Sequence, residues 1–299
     1  MEKCFETLIS LKKVGDLHFK SLVKPYLADV SNGETKRVHV YGGHAICQSA
    51  WSACLTVPEG YQLHNTHGYF LLPTPHVEGI DYHVTKIRDG SGYITRSVVM
   101  SYNDKTIFTC LCSFKKLPTK KNTDLLNHQP KVEKLDVNPD TLPCCPYAEA
   151  PILDLIVRTD MSIDVRRAKS TWDENTPIPN RERNYFSKSQ IFISPSNYNV
   201  HICCLLYMSD RNLLFTSTIS QNDYEGLRWV GRTASLTHSV VIHQIPDTND
   251  WIRFVSSSPW TGDGRGLIEA KMWNKNDELL ASVYQEAMIE VLPPIKSKI

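Results

Sequence analysis

The sequence predicts an α+β protein in which two antiparallel sheets each wrap around a central helix. Along its 299 residues one order of segments is written twice, two motifs recur at nearly one spacing, and strand-like segments alternate apolar with polar residues. In the first half a helix candidate at residues 42–56 precedes strand candidates at 62–72, 80–87, 93–102 and 106–114. In the second, a helix near 200–214 precedes strands at 233–242, 251–258, 266–273 and 279–289. Between them residues 118–151 carry six prolines, the pair Lys120-Lys121 and little periodicity. That stretch reads as a linker joining a unit at 1–117 to one at 152–299.

The repeat is visible in individual residues. Thr66-His67-Gly68 recurs as Thr237-His238-Ser239 at a spacing of 171, and Asn103-Asp104 recurs as Asn276-Asp277 at 173. Asn and Asp tolerate left-handed turn conformations, so both Asn-Asp pairs read as hairpin tips between antiparallel strands. Residues 264–273 place Gly266, Ile268, Ala270 and Met272 on one parity and Arg265, Glu269 and Lys271 on the other, the mark of a sheet with one buried face. The helices lack a polar face: 202–208 is apolar all round and 42–53 is rich in Gly, Ala, Ser and Cys, so a curved sheet can enclose each. A histidine kept at one place in both halves, His67 and His238, reads as a packing residue and not as an acid or base.

Composition narrows the function. Lys plus Arg number 33 against 32 Asp plus Glu, and a net charge of +1 gives no reason to expect nucleic acid or an anionic membrane as partner. No 18-residue apolar run and no signal-peptide core occur, so a soluble, non-secreted chain without a membrane span is expected. Nine scattered cysteines form no CxxC pair; free thiols are expected, with no metal site and no cofactor. Neither GxSxG nor GxxxxGK[ST] occurs, which disfavours nucleophile-elbow hydrolases and P-loop enzymes.

Three side chains stand out as chemistry. Gln285 interrupts the apolar parity Leu279, Ala281, Val283, Ala287, Ile289, and an amide buried unpaired there would cost roughly 1–3 kcal/mol, so it needs partners. Backbone groups would serve as well as a site. Asp210 ends the apolar run 202–208, which carries a carboxylate into a poorly solvated place where it requires donors, although SDRN is also ordinary cap chemistry. Ser235 shares a parity with Thr237, Ser239 and Val241, a partly solvated face. Gly42 and Gly43 open the first helix, where backbone amides could receive an oxyanion or substrate group and glycine permits close approach. The same glycines could simply let helix and sheet meet.

Tyr41-Gly42-Gly43-His44, the run from His67 to Pro73, Arg88-Asp89-Gly90-Ser91, Ser209-Asp210-Arg211-Asn212-Leu213, Leu236-Thr237-His238-Ser239 and Gln285-Glu286 resemble, in order, the acyl-CoA thioesterase II family. The resemblance implies a double-hotdog fold and hydrolysis of fatty acyl-CoA to fatty acid and CoA, for which attack by a positioned water is the mechanism expected. It also implies a catalytic trio in the second hotdog that falls on Asp210, Ser235 and Gln285. Two departures are Tyr41 and His44, where members often have Phe and Gln, and Thr237, where members have Asp. A spacing of 171 sets Ser235 against His64, and 173 sets Gln285 against Cys112, so the first half lacks the trio. The alternatives are a non-catalytic acyl-CoA-binding hotdog protein and a hotdog enoyl-CoA hydratase. Against the second, no Asp is followed five residues on by His. Hotdog sheets commonly pair edge to edge, a need that a homo-oligomer or the two halves of one chain would meet. Ser297-Lys298-Ile299 differs from the peroxisomal Ser-Lys-Leu signal only in its last residue, which implies an import receptor as partner and a peroxisomal address, with the cytoplasm as the alternative.

Overall fold

The computed structural model describes residues 5–31, 36–117, 126–143, 162–169, 172–173, 175–218 and 230–291. The first half runs α1 (Phe5–Leu8), β1 (Leu11–Lys13), β2 (His18–Ser21), β3 (Leu27–Ser31), β4 (Lys36–Val40), α2 (Gly42–Cys54), β5 (Tyr61–Phe70), β6 (Asp81–Asp89), β7 (Tyr93–Tyr102) and β8 (Lys105–Lys116). The second runs β9 (Ile163–Arg167), β10 (Arg183–Ser189), α3 (Tyr198–Ser209), a 3-10 helix (Leu214–Thr218), β11 (Val230–Ile242), β12 (Ile252–Gly262), β13 (Arg265–Trp273) and β14 (Leu279–Val291). All eight strands expected from alternation are present. The second helix is shorter than expected because Asn212 turns to φ 58°, after which the chain continues as the 3-10 helix.

Among the described residues twelve strands form one sheet in the order β1-β2-β6-β7-β8-β5-β11-β14-β13-β12-β10-β9, with β3 and β4 as a separate hairpin. The order is the same list read outward from a central seam, where β5 and β11 pair antiparallel with Thr66 opposite Val240 and Gly68 opposite His238. The two expected sheets are thus one continuous sheet, and each half covers the other's edge at the seam. β1, β2, β9 and β10, which periodicity did not single out, extend it on both sides. Asn103 and Asp104 take φ 50° and 61° in the β7–β8 turn, as a two-residue hairpin requires, and Asp277 takes φ 58° in the β13–β14 turn.

The linker residues 126–143 lie against the second half. The Gln129 side chain donates to the Asp277 carbonyl at 2.7 Å and accepts from the Leu279 amide at 3.0 Å, holding the β13–β14 turn, and Arg253 donates to the Glu133 carbonyl.

α2 and α3 pack directly on each other, as their composition allows. Every α3 residue from Val200 to Ser209 is buried, and α2 meets it with Gly43 beneath the Tyr207 carbonyl and with Cys47 and Cys54 against Cys203, small residues that allow close approach. The tightest point is Gly43, where a Cβ would lie 2.5 Å from the Tyr207 carbonyl oxygen and 2.6 Å from the Tyr41 ring. Tyr41 donates its hydroxyl to that same carbonyl, one of the α3 C-terminal acceptors left without an intrahelical partner. Asn199 in the first turn of α3 accepts from the Leu63 amide and donates to the Tyr61 carbonyl, both at 3.1 Å, which ties the second helix to the first half's β5.

Gly43→Ala should therefore lower stability by about 1–3 kcal/mol, read as a lower urea midpoint. Gly92→Ala, whose Cβ meets nothing within 4 Å, should leave the midpoint nearly unchanged.

Candidate active site

β14 keeps the alternation its sequence promised, and Gln285 is fully buried among Ala281, Val283, Ala287 and Ile289. Its amide nitrogen donates one hydrogen to Asp210 Oδ1 at 2.8 Å and the other to Ser235 Oγ at 2.7 Å. An ionised carboxylate only accepts, which fixes the amide with nitrogen toward Asp210. Gln285 Oε1 is buried and has no partner among the described residues. One nitrogen thus gathers side chains 75 and 50 residues away in the chain.

Ser235 reaches the amide through a break in alternation. His238 stands opposite Gln285 and Thr237 opposite Glu286, but Ser235 stands opposite Ala287, so β11 spends three residues on two of β14. Leu236 is the extra residue of a β-bulge, and the bulge turns Ser235 to the same face as His238 and Gln285. The parity of Thr237, Ser239 and Val241 placed Ser235 on the other face, which is corrected here. β5 has the equivalent bulge against β8 at His64, between Leu63 opposite Phe114 and Asn65 opposite Ser113. The spacing that relates the two bulges is therefore one more than the motif match suggested, and Leu63, not His64, occupies the place of Ser235. With Cys112 opposite Thr66 as Gln285 is opposite His238, and Leu55 capping α2 as Asp210 caps α3, the first half has Leu55, Leu63 and Cys112 in place of the three polar residues.

Asp210 is held where a carboxylate is least at ease. It caps the C-terminus of α3, next to the negative end of the helix dipole, and only 8% of its side chain is exposed. Burial pushes its pKa from 3.8 up to about 7, while the Gln285 amide, the Gly43 backbone N–H and Arg211 pull the other way. The Gly43 contact brings the positive end of α2 to the carboxylate. At Gly42 a Cβ would sit 2.7 Å from Asp210 Oδ2, so this glycine admits the carboxylate to the helix end. The Gly42-Gly43 pair thus lies against Asp210, with the Gly43 amide pointing at its carboxylate.

His238 also lies here, which the motif match concealed. His67 and His238 agree in letters, but the ladder sets His67 opposite Ser239 and turns the two rings to opposite faces, as a slip of one residue must. His67 is exposed and bonds to Ser239 Oγ; His238 is 1% exposed, with Nδ1 4.0 Å from Asp210 Oδ1 and Nε2 2.8 Å from Ser209 Oγ. Burial pushes the His238 pKa down to about 3, so it is neutral. Parity with Val240 and Ile242, which lie on the same side of the bulge, was the signal that could have found it.

Among the described residues, metal-type ligands gather at His18, Asp81 and His83, on β2 and β6 beyond β7, β8 and β5 from the site. The Asp81 carboxylate is already held by Lys20 at 2.9 Å and His18 at 2.6 Å, and the His18 and His83 rings are stacked, a geometry that keeps their lone pairs from converging.

Residues 32–115 match the model of the acyl-CoA thioesterase N-terminal domain, and residues 157–289 match that of the C-terminal domain. An acyl-coenzyme A thioesterase 8 from Mus musculus is 24% identical over 270 residues, covering 86% of this chain and 82% of that protein. A peroxisomal acyl-coenzyme A thioester hydrolase 1 from Saccharomyces cerevisiae is 24% identical, covering 83% of this chain and 85% of that protein. The solved structure of an acyl-CoA thioesterase II from Mycobacterium marinum is 26% identical with a TM-score of 0.74, covering 97% of this chain and 99% of that one. The architecture is the expected double hotdog.

Asp210 carries a stability signature that can be measured. Its folded-state pKa is raised, so the fold favours the protonated form, and stability falls as pH rises from about 4 to about 7, by at most about 1.4 kcal/mol per unit, then levels off. Asp210→Asn removes this loss. Denaturant curves should show the variant gaining on the parent through that window; a gap independent of pH would contradict the buried charge.

Proposed function

We infer that this chain, which belongs to the acyl-CoA thioesterase II family and is a thioester hydrolase, cleaves acyl-CoA with a water molecule held by Asp210, Ser235 and Gln285. The observation that carries the reading is the bonding of both Gln285 hydrogens, one to a carboxylate of raised pKa and one to a hydroxyl. Because Ser235 accepts from Gln285, its own hydrogen is free to point into the site. A water lodged between Asp210 and Ser235 is then oriented by an acceptor on one side and a hydroxyl on the other.

In this reading Asp210 takes a proton from the water as its oxygen bonds to the thioester carbonyl carbon. The carbonyl oxygen gains the displaced electron pair, and collapse of that intermediate breaks the C–S bond. The proton passes to the departing thiolate, giving fatty acid and CoA. A thiolate leaves readily, so orientation of the water and stabilisation of the oxyanion dominate. The first amide of α2, that of Gly42, has no intrahelical acceptor by helix geometry and is the candidate oxyanion donor. This reading gives Ser235 no nucleophile's role, since its hydrogen is turned to the water and no base among the described residues is hydrogen-bonded to it.

The same reading assigns the chain to fatty acid metabolism and divides it into hotdogs at 1–117 and 152–299 joined by 118–151. It takes Ser297-Lys298-Ile299, outside the described residues, as a peroxisomal import signal, in keeping with the likeness to the Saccharomyces cerevisiae relative. No helix among the described residues is long and apolar enough to cross a membrane.

Thiol release from palmitoyl-CoA tests the chemistry. Asp210→Asn should lower kcat by about 10²–10⁴-fold with the fold intact, and full activity in that variant would remove the proposed base. In the parent kcat/KM should rise with pH through about 7, as the raised Asp210 pKa requires. For the address, a tagged copy should enter peroxisomes and turn diffuse when Ile299 is deleted; a diffuse parent would discard the signal.

A further inference from the structure

Gln285 and His238 are direct partners across the β11–β14 ladder, so their side chains leave the sheet together toward the end of α3. The Ser209 hydroxyl lies 2.8 Å from the Leu206 carbonyl and 2.8 Å from His238 Nε2. A hydroxyl has one hydrogen, and a carbonyl can only accept. Ser209 therefore donates to Leu206 and accepts from His238, which puts the imidazole hydrogen on Nε2. Nδ1 is then a bare lone pair. It is buried, has no partner among the described residues, and faces Asp210 Oδ1 across 4.0 Å.

That separation is beyond a hydrogen bond, and the contact has opposite signs in the two states of the carboxyl. A lone pair repels an ionised carboxylate and accepts from a protonated one. We propose that His238 is a positioning residue for the hydrolysis: its Nδ1 receives the hydrogen of Asp210 once Asp210 has taken the proton from water, and so sets the pH range in which the base works. No proton leaves Asp210 in this step. The Oδ1–H bond formed at the expense of a water O–H bond is held by Nδ1 until the thiolate collects the hydrogen. Burial keeps the ring neutral throughout, so it competes with neither Asp210 nor the thiolate for the proton.

Other groups facing this pair act differently. Arg211 just after α3 favours the ionised carboxylate, Tyr41 before α2 opposes it, and Tyr207 acts on Tyr41. β11, β14 and β5 present Ser235, Gln285 and Gly68, none of which titrates. His238 Nδ1 is an unpartnered acceptor among the described residues, 4.0 Å from Asp210 Oδ1, and its contact strengthens as Asp210 gains its proton, whereas Gln285 turns a donor to the same oxygen.

The inference rests on Asp210 being the base, and the experiment separates the two. His238→Gln reproduces the donor to Ser209 and lacks the facing lone pair; His238→Asn can place its amide oxygen where Nδ1 stood. In kcat/KM profiles for palmitoyl-CoA, the acid limb of His238→Gln should move down by about half a unit or more, with kcat reduced and KM little changed. His238→Asn should restore the parent's limb. Limbs unshifted in both folded variants would overturn the role of His238 while an inactive Asp210→Asn leaves the base in place; an active Asp210→Asn would overturn both. A second readout needs no variant: ¹⁵N spectra of the parent should show His238 with hydrogen on Nε2 and a bare Nδ1 from about pH 6 to about pH 9, a range that spans the raised Asp210 pKa of about 7 and the usual titration of His. Hydrogen on Nδ1 would overturn the proposal even if the variants failed to fold.

Discussion

Holding the Asp210 carboxylate between the end of one helix and the start of another is the constraint to which the surrounding residues answer. An ion at such a place loses most of its hydration, and only donors fixed in advance can offset that loss. The chain supplies them from three directions: an amide side chain from β14, a backbone N–H from α2 and the guanidinium of Arg211. They do not fully compensate, and the residue is left close to its midpoint near neutral pH. A carboxylate so balanced can both hold and release a proton under ordinary conditions, which is the requirement for a base that must turn over.

The helix crossing exists for the same purpose. Gly43 lets α2 approach the Tyr207 carbonyl, and Gly42 leaves room for Asp210 Oδ2. Tyr41 closes the contact from the side. The glycines that looked like a generic opening for substrate are, in the structure, first of all an opening for the acid itself.

Legibility in the sequence followed the physics of each residue. Gln285 was visible because strand alternation is rigid over β14, and one amide in an apolar row has no innocent explanation other than a partner. Asp210 was visible because the apolar run of α3 delivers it to the interior. Ser235 was invisible from parity, since a bulge at Leu236 inserts one residue and reverses every face before it, and nothing in Ala-Ser-Leu-Thr announces that. His238 lies beyond the bulge on the buried parity of Val240 and Ile242, and was hidden by sharing letters but not direction with His67. β1, β2, β9 and β10 escaped because their residues are mixed, as in Arg-Asn-Tyr-Phe-Ser-Lys-Ser of β10, and their burial comes from neighbouring strands instead of their own pattern.

The seam between β5 and β11 ties two half-molecules that a shorter ancestor would have had to bring together by collision. Within one chain that meeting is intramolecular, so dilution does not undo it. Symmetry then ceases to be enforced: each half can drift separately. One has kept polar groups where the other has filled the same positions with Leu55, Leu63 and Cys112, and the asymmetry that a pair of identical subunits could never acquire becomes available to selection.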